Sequence, residues 1–162
     1  MHLALIYARS ENYCIGCDGD LPWQLPDEFA HFTRTTMGST VIMGRRSFQD
    51  HNSVLQGRLN IVVSRNEALA LPDAVRRAGS LQQAIGIAAG AARPIFVIGG
   101  AGLYREALPL ADTVYETVVD AQIEGDTFID AFDFSGWQTE QMQRHPADER
   151  HRFAFTVYRH TR

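Results

Sequence analysis

The strongest constraint on this chain is a rhythm: short, β-rich apolar runs alternate with stretches of helical spacing. Residues 3–8, 40–43, 59–63, 74–77, 95–98 and 113–119 are the apolar runs. Helical patterns fall among them over residues 26–36, 46–49, 81–89 and 103–108. Strands that read as continuous apolar runs need cover on both faces, and intervening helices supply it. The pattern therefore predicts an α/β fold with a mainly parallel central sheet and flanking helices. The tail changes character. Residues 137–143 and 153–158 read as two strands joined by a polar loop over 145–152, an antiparallel hairpin for one edge of the sheet. No repeat, low-complexity tract or polar linker interrupts the chain, so one domain over residues 1–162 is expected.

Composition narrows the function classes. A chain of 162 residues, 45% hydrophobic and 21% charged, supplies a sizeable core. Its net charge of −4 comes without a basic run, which argues against a nucleic-acid partner. The apolar run at 3–8 is too short to span a membrane and has no positively charged flank of the signal-peptide kind, so a cytoplasmic protein is expected. Cys14 and Cys17 form a C-x-x-C, but no second Cys or His pair completes a zinc site. They read as two packed thiols.

Three strand-to-turn junctions suit phosphate groups. The first is Met43-Gly44-Arg45-Arg46-Ser47, where a strand ends and a helix begins with two cations and a hydroxyl. The second is Val63-Ser64-Arg65, about twenty residues on, where an NAD-preferring dinucleotide fold carries an acid for the ribose. A hydroxyl and a cation there favour a 2′-phosphate, hence NADP over NAD. The third is Ile98-Gly99-Gly100-Ala101-Gly102-Leu103-Tyr104, which fails the G-x-G-x-x-G pattern because Arg105 takes the third glycine's place. It still runs a β-rich strand through two glycines into a helix start. All three lie at carboxyl ends of predicted strands, the rim where open α/β sheets bind ligands.

The stretch Leu21-Pro22-Trp23-Gln24-Leu25-Pro26-Asp27-Glu28-Phe29 opens a helix with Pro26 at its first position. Leu25, Phe29 and Phe32 fall at i, i+4 and i+7 and are expected on one buried face, with Glu28 among them. An acid in a first helical turn ordinarily complements the helix dipole, as Asp27 does. Glu28 differs in its aromatic company. Desolvation there would raise its pKa unless a donor-rich partner pairs with it, and a planar ligand with two adjacent N–H groups is such a partner.

Taken together, these segments closely resemble dihydrofolate reductase along nearly the whole chain. The matching blocks are Ile15-Gly16, Leu21-Pro22-Trp23-x-Leu25-Pro26-x-Glu28-x-x-x-Phe32, Val41-Ile42-Met43-Gly44-Arg45, Gly57-Arg58-x-Asn60, Ser64-Arg65, Val97-Ile98-Gly99-Gly100-x-x-x-Tyr104 and Glu124-Gly125-Asp126-Thr127. The resemblance implies NADPH-dependent reduction of 7,8-dihydrofolate to tetrahydrofolate, in support of one-carbon metabolism, with hydride delivered to C6 and a proton to N5. It implies that Glu28 accepts hydrogen bonds from the pterin N3–H and 2-amino group, with Thr117 supporting the carboxylate, and that Leu21, Trp23 and Tyr104 join the catalytic set. Ile6, Ala8, Phe29, Phe32, Leu55 and Ile98 would contact the substrate rings, and Arg58 would clamp the glutamate-tail carboxylate. Cofactor contacts are implied for Ala8, Ile15, Gly16, Gly19, Asp20, Leu21, Gly44, Arg45, Arg46, Ser47, Ser64, Arg65, Gly79, Ile98, Gly99, Gly100, Ala101, Gly102, Leu103 and Tyr104. The family joins the Gly99-Gly100 pair by a cis peptide, and the segment 15–23 corresponds to its loop that closes over the nicotinamide. No metal is implied. A monomer that binds a small-molecule substrate and antifolate inhibitors is expected.

The chain departs from the family in places. Asn52-Ser53-Val54-Leu55-Gln56 lacks two prolines and a glycine usual in this wall of the folate groove, which is expected to sit differently or more loosely. Tyr7 replaces a small residue and by alternation points away from Ile6 and Ala8. Gly102 stands where some relatives carry a basic residue, leaving more of the cofactor phosphate to Arg45, Arg46 and Arg65. Two other functions share parts of this pattern: the fold-related pyrimidine reductase of riboflavin synthesis, and a non-catalytic pterin- or nucleotide-binding module.

Overall fold

A computed structural model describes residues 2–51 and 54–162. The chain forms two compact units, one from residues 2–5 and 36–111, the other from residues 6–35 and 112–162. The strand β1 (Leu3–Ser10) begins in the first and ends in the second.

The first unit carries the parallel strands. β3 (Thr40–Gly44), β4 (Leu59–Val63), β5 (Val75–Ala78) and β6 (Ile95–Val97) lie in the order β5-β4-β3-β6, followed by the opening residues of β1. Each pairing in this series is parallel. Four residues of β3 and all of β6 are buried, as strands covered on both faces must be. The crossovers hold α2 (Arg45–His51), α3 (Leu81–Ala89) and α4 (Ala101–Ala107), the last running into a 3-10 turn at Leu108–Leu110. α3 starts at Ser80, whose hydroxyl accepts from the Gln83 N–H, and it buries Leu81, Ala84 and Ala88.

The second unit is antiparallel where its pairing is resolved. β10 (Phe155–Thr161) pairs antiparallel with both β7 (Thr113–Val119) and β9 (Gln138–His145), leaving β9 at the edge. A separate ribbon joins β2 (Cys14–Gly16) to β8 (Thr127–Phe128). α1 spans Pro26–Thr36. Trp23 and Leu25, just before it in sequence, pack in one core cluster with Val119, Ala121, Phe155 and Val157.

The mixed α/β expectation, with its parallel strands and antiparallel C-terminal edge hairpin, matches this architecture. Several bounds differ. α2 runs over Arg45–His51 rather than 46–49, and α4 starts at Ala101 rather than 103, because Gly100 already occupies the cap position. β1 extends to Ser10, β5 is Val75–Ala78, β6 stops at Val97, and the hairpin strands lie one to three residues further along than expected. β2 and β8 are too short for periodicity to reveal. The expected apolar face of α1 also needs correction. Leu25 is buried and Phe32 half-buried, but Phe29 is 61% exposed. The buried stripe instead carries Glu28, His31 and Thr36.

Candidate functional site

In the second unit, Pro26 starts α1 and turns Glu28 into its first turn on the buried side. Glu28 is 8% exposed. Thr117 of β7, itself buried, donates its hydroxyl to Glu28 Oε1 at 3.1 Å. Burial pushes the Glu28 pKa up to about 7, against the Thr117 hydrogen bond, which pulls it down. The next residue on the strand has a different setting. Glu116 faces the other way and takes the Tyr7 hydroxyl and Arg9 Nε at 3.0 Å each on Oε2, with His160 Nε2 3.0 Å from Oε1. Burial works to raise its pKa, but the His160, Arg9 and Tyr7 contacts outweigh that and hold it below the usual carboxylate range. Tyr7 thus turns away from Ile6, as alternation predicts.

In the same unit Ile6 is buried and Ala8 half-buried on β1. The Phe29 and Phe32 rings lie 6.4 Å apart on α1. Trp23 is buried in the core cluster, yet its indole N–H has no partner among the described residues. Ahead of it, Ile15, Gly16, Gly19, Asp20 and Leu21 share one tied loop. Gly16 pairs with Thr127, the Asp18 N–H donates to Asp126 Oδ2 at 2.9 Å, and Cys17 and Asp20 exchange backbone bonds of 2.9 and 3.1 Å. Gly19 turns the chain at a φ of 78°, and Leu21 is exposed.

A second set gathers in the first unit at the carboxyl ends of β3, β4 and β6. The Gly44 N–H donates to the Gly99 carbonyl at 2.8 Å, and the Ile98 N–H to Ile42 at 2.9 Å. The Gly99-Gly100 peptide is cis and Gly99 has a φ of 136°. A Cβ on Gly99 would sit 3.0 Å from Ser47 Oγ and 3.6 Å from the Tyr104 hydroxyl, so the absent side chain lets these groups converge. Arg45 and Arg46 are exposed just before Ser47, while Ala101, Gly102 and Leu103 form the first turn of α4. A Cβ on Gly102 would meet only open space. At the end of β4, Arg65 is exposed and the Ser64 carbonyl accepts from Arg77 Nη1 at 2.7 Å. Gly79 lies against the same guanidinium. Arg77 did not stand out in the sequence; its signal is a second arginine in a four-residue strand, Val75-Arg76-Arg77-Ala78.

Leu55 and Arg58 also belong to the first unit. Arg58 donates to Thr36 Oγ1 and to the Gln56 carbonyl, both at 3.0 Å. Asn60, fully buried, takes the Leu55 N–H at 3.0 Å and donates to the Leu55 and Arg58 carbonyls at 2.9 and 3.0 Å. Asn52 and Ser53, where looseness was expected, lie outside the described residues. From Val54 onward Asn60 holds the turn through these three hydrogen bonds.

A model of the dihydrofolate reductase family matches residues 2–162. The chain belongs to that family. Dihydrofolate reductase type 3 of Salmonella typhimurium is 41% identical over 154 residues, covering 95% of this chain and 94% of that relative. The dihydrofolate reductases of Neisseria meningitidis serogroup B and Bacillus subtilis are 38% and 35% identical, over 98% and 94% of this chain and 98% and 90% of theirs. Among solved structures, a dihydrofolate reductase from Enterococcus faecalis complexed with NADP(H) and RAB-propyl superposes with a TM-score of 0.91. It is 29% identical and the match covers 99% of this chain and 96% of that one. Membership of the dihydrofolate reductase family sets aside the riboflavin-pathway reading. No helix among the described residues is long and apolar enough to cross a membrane.

Proposed function

We propose that the chain reduces 7,8-dihydrofolate to tetrahydrofolate with NADPH, using Glu28 as the anchor of the pterin ring. The observation that carries this is the buried Glu28 carboxylate, held by one hydroxyl, whose pKa of about 7 leaves it poised between charged and neutral near physiological pH. Its free lone pairs suit the pterin N3–H and 2-amino group, which form a flat pair of adjacent donors. The carboxylate's field favours a proton on N5, the change that makes C6 a better hydride acceptor. The unpartnered Trp23 indole N–H offers a place for a water on the route of that proton.

The residues present fit NADPH. Glycines 44, 99 and 100 bring bare backbone together beside Ser47 and Tyr104, and Arg45, Arg46, Arg65 and Arg77 cluster positive charge on the same unit. NADPH supplies the hydride. Arg45, Arg46, Ser47, Ser64 and Arg65 hold its phosphates in this reading, Ile98 and Tyr104 flank its nicotinamide, and the loop over residues 15–23 excludes water. Arg58 takes the glutamate-tail carboxylate, with Leu55, Phe29 and Phe32 along the aminobenzoyl group. The family match spans both compact units, and β1 runs from one into the other, which supports one domain over residues 1–162. The free thiols of Cys14 and Cys17 suit a reducing, cytoplasmic setting. Purified protein mixed with dihydrofolate should consume NADPH absorbance much faster than NADH. No loss of NADPH absorbance would refute the proposal.

A further inference from the structure

Asp27, His145 and His151 meet at the start of α1. One ligand atom from each, Asp27 Oδ2 and a ring nitrogen of each histidine, lies within 4.8 Å of the others. His151 is 1% exposed and its Nε2 takes the Asp27 backbone N–H at 3.0 Å. That lone pair therefore points at α1, and the ring proton sits on Nδ1, which donates to Asp148 Oδ1 at 2.8 Å. His145 ends β9, stacks flat on Phe155 and lies 4.1 Å from the His151 ring. Its Nδ1 is 2.7 Å from the Pro146 carbonyl, an acceptor only, so Nδ1 carries a proton there too. His145 Nε2 is then aimed at Asp27 Oδ2, 2.9 Å away.

Two lone pairs facing one another at that distance need a cation between them. A second proton on His145 is one such cation. A metal ion is another, and the cluster holds ligand atoms for it, although His151 Nε2 must first give up the Asp27 N–H. Each imidazole has its Nδ1–H anchored on an oxygen, one a carboxylate and one a carbonyl, which fixes the tautomer that presents Nε2 for coordination. Both Nε2 atoms flank the same carboxylate oxygen, at 2.9 and 3.9 Å. Ligands bound at about 2.0–2.1 Å in a tetrahedral shell stand roughly 3.3 Å apart, between those two separations. Two nitrogens and one carboxylate suit an ion of the zinc type and not magnesium or calcium, which prefer shells of oxygen.

We propose that Asp27 Oδ2, His145 Nε2 and His151 Nε2 form a binding site for a divalent transition-metal ion, with Asp148 supporting His151 and water completing the shell. The ion displaces the proton between His145 and Asp27 and takes the lone pair that His151 now gives to the Asp27 N–H. It therefore sits one residue before Glu28, outside the residues assigned to substrate or cofactor.

The test is a titration of the full chain carrying Cys17→Ser, which removes the thiol of the other candidate cluster, Cys17 with Asp18 and Asp126. The protein is stripped with a chelator and titrated with Co2+ alone, then with Zn2+. Visible absorption of a low-coordinate Co2+ should saturate at one ion per chain, and Zn2+ should abolish it. Asp27→Asn and His145→Gln, which both leave His151 as the cap of α1, should each weaken binding at least ~10-fold. Asp148→Asn should weaken it by ~10-fold or more, as loss of a supporting carboxylate does. Absence of a saturable Co2+ spectrum at millimolar ion, or unchanged affinity in Asp27→Asn and His145→Gln, would overturn the site.

Discussion

Glu28 and Glu116 are buried carboxylates of the same unit with pKa values moved in opposite directions. Glu116 has three side-chain partners and stays charged, whereas Glu28 has the Thr117 hydroxyl alone among the described residues and is pushed up to about 7. The contrast follows from partner supply, since desolvation acts on both. Because the folded pKa of Glu28 lies above its usual 4.5, the folded protein holds that proton longer than the unfolded chain does. Its contribution to stability is fully present below about pH 4.5 and is lost as pH rises through about 7. Thr117→Val removes the one interaction that lowers this pKa. We expect the variant's loss of stability with rising pH to continue to higher pH, and the Glu28 limb of the pH–rate profile to move up with it. Unfolding midpoints and turnover measured across pH 4–9 check this, and superimposable profiles would contradict it.

At the scale of elements, the periodic segments were legible and the short ones were not. α1, α3, β4 and β7 have the bounds that spacing predicts, since each carries enough residues for its period to show. The ribbon of β2 and β8 exists for another reason. A Cβ on Gly125 would collide with Cys14 Sγ and the Gly16 carbonyl, so close backbone packing, which no hydropathy pattern records, brings these segments together. The burial of Glu28 beside an exposed Phe29 was likewise only half legible: spacing puts position 28 near the inner face but does not choose between neighbours. Asn60 shows the same limit, because no hydropathy pattern records that one buried amide ties three backbone groups of the 55–58 turn. Asn60→Ala leaves three backbone groups of the 55–58 turn without this partner. It should cost about 2–4 kcal/mol. It should also raise KM for dihydrofolate more than it lowers kcat, through Arg58 and Leu55. Denaturant midpoints and steady-state constants measure both effects, and a stability within ~0.5 kcal/mol of the parent would contradict the role given to Asn60.

The molecule as a whole carries a net charge of −4, yet Arg45, Arg46, Arg65 and Arg77 all lie in the first unit near the ends of β3, β4 and β5. That local reversal of sign is what a cofactor with an additional phosphate requires of an acidic protein. Arg65→Ala should lower the preference for NADPH over NADH by ~10-fold or more, and added salt should shrink the preference of the parent enzyme. Equal use of both cofactors by the parent would contradict the assignment. The most direct measurement is steady-state reduction of dihydrofolate by Glu28→Gln at neutral pH, with NADPH affinity determined in parallel. Turnover should fall by ~10²-fold or more while NADPH binds as before; turnover equal to the parent's would show that the buried carboxylate does not prepare the pterin for hydride.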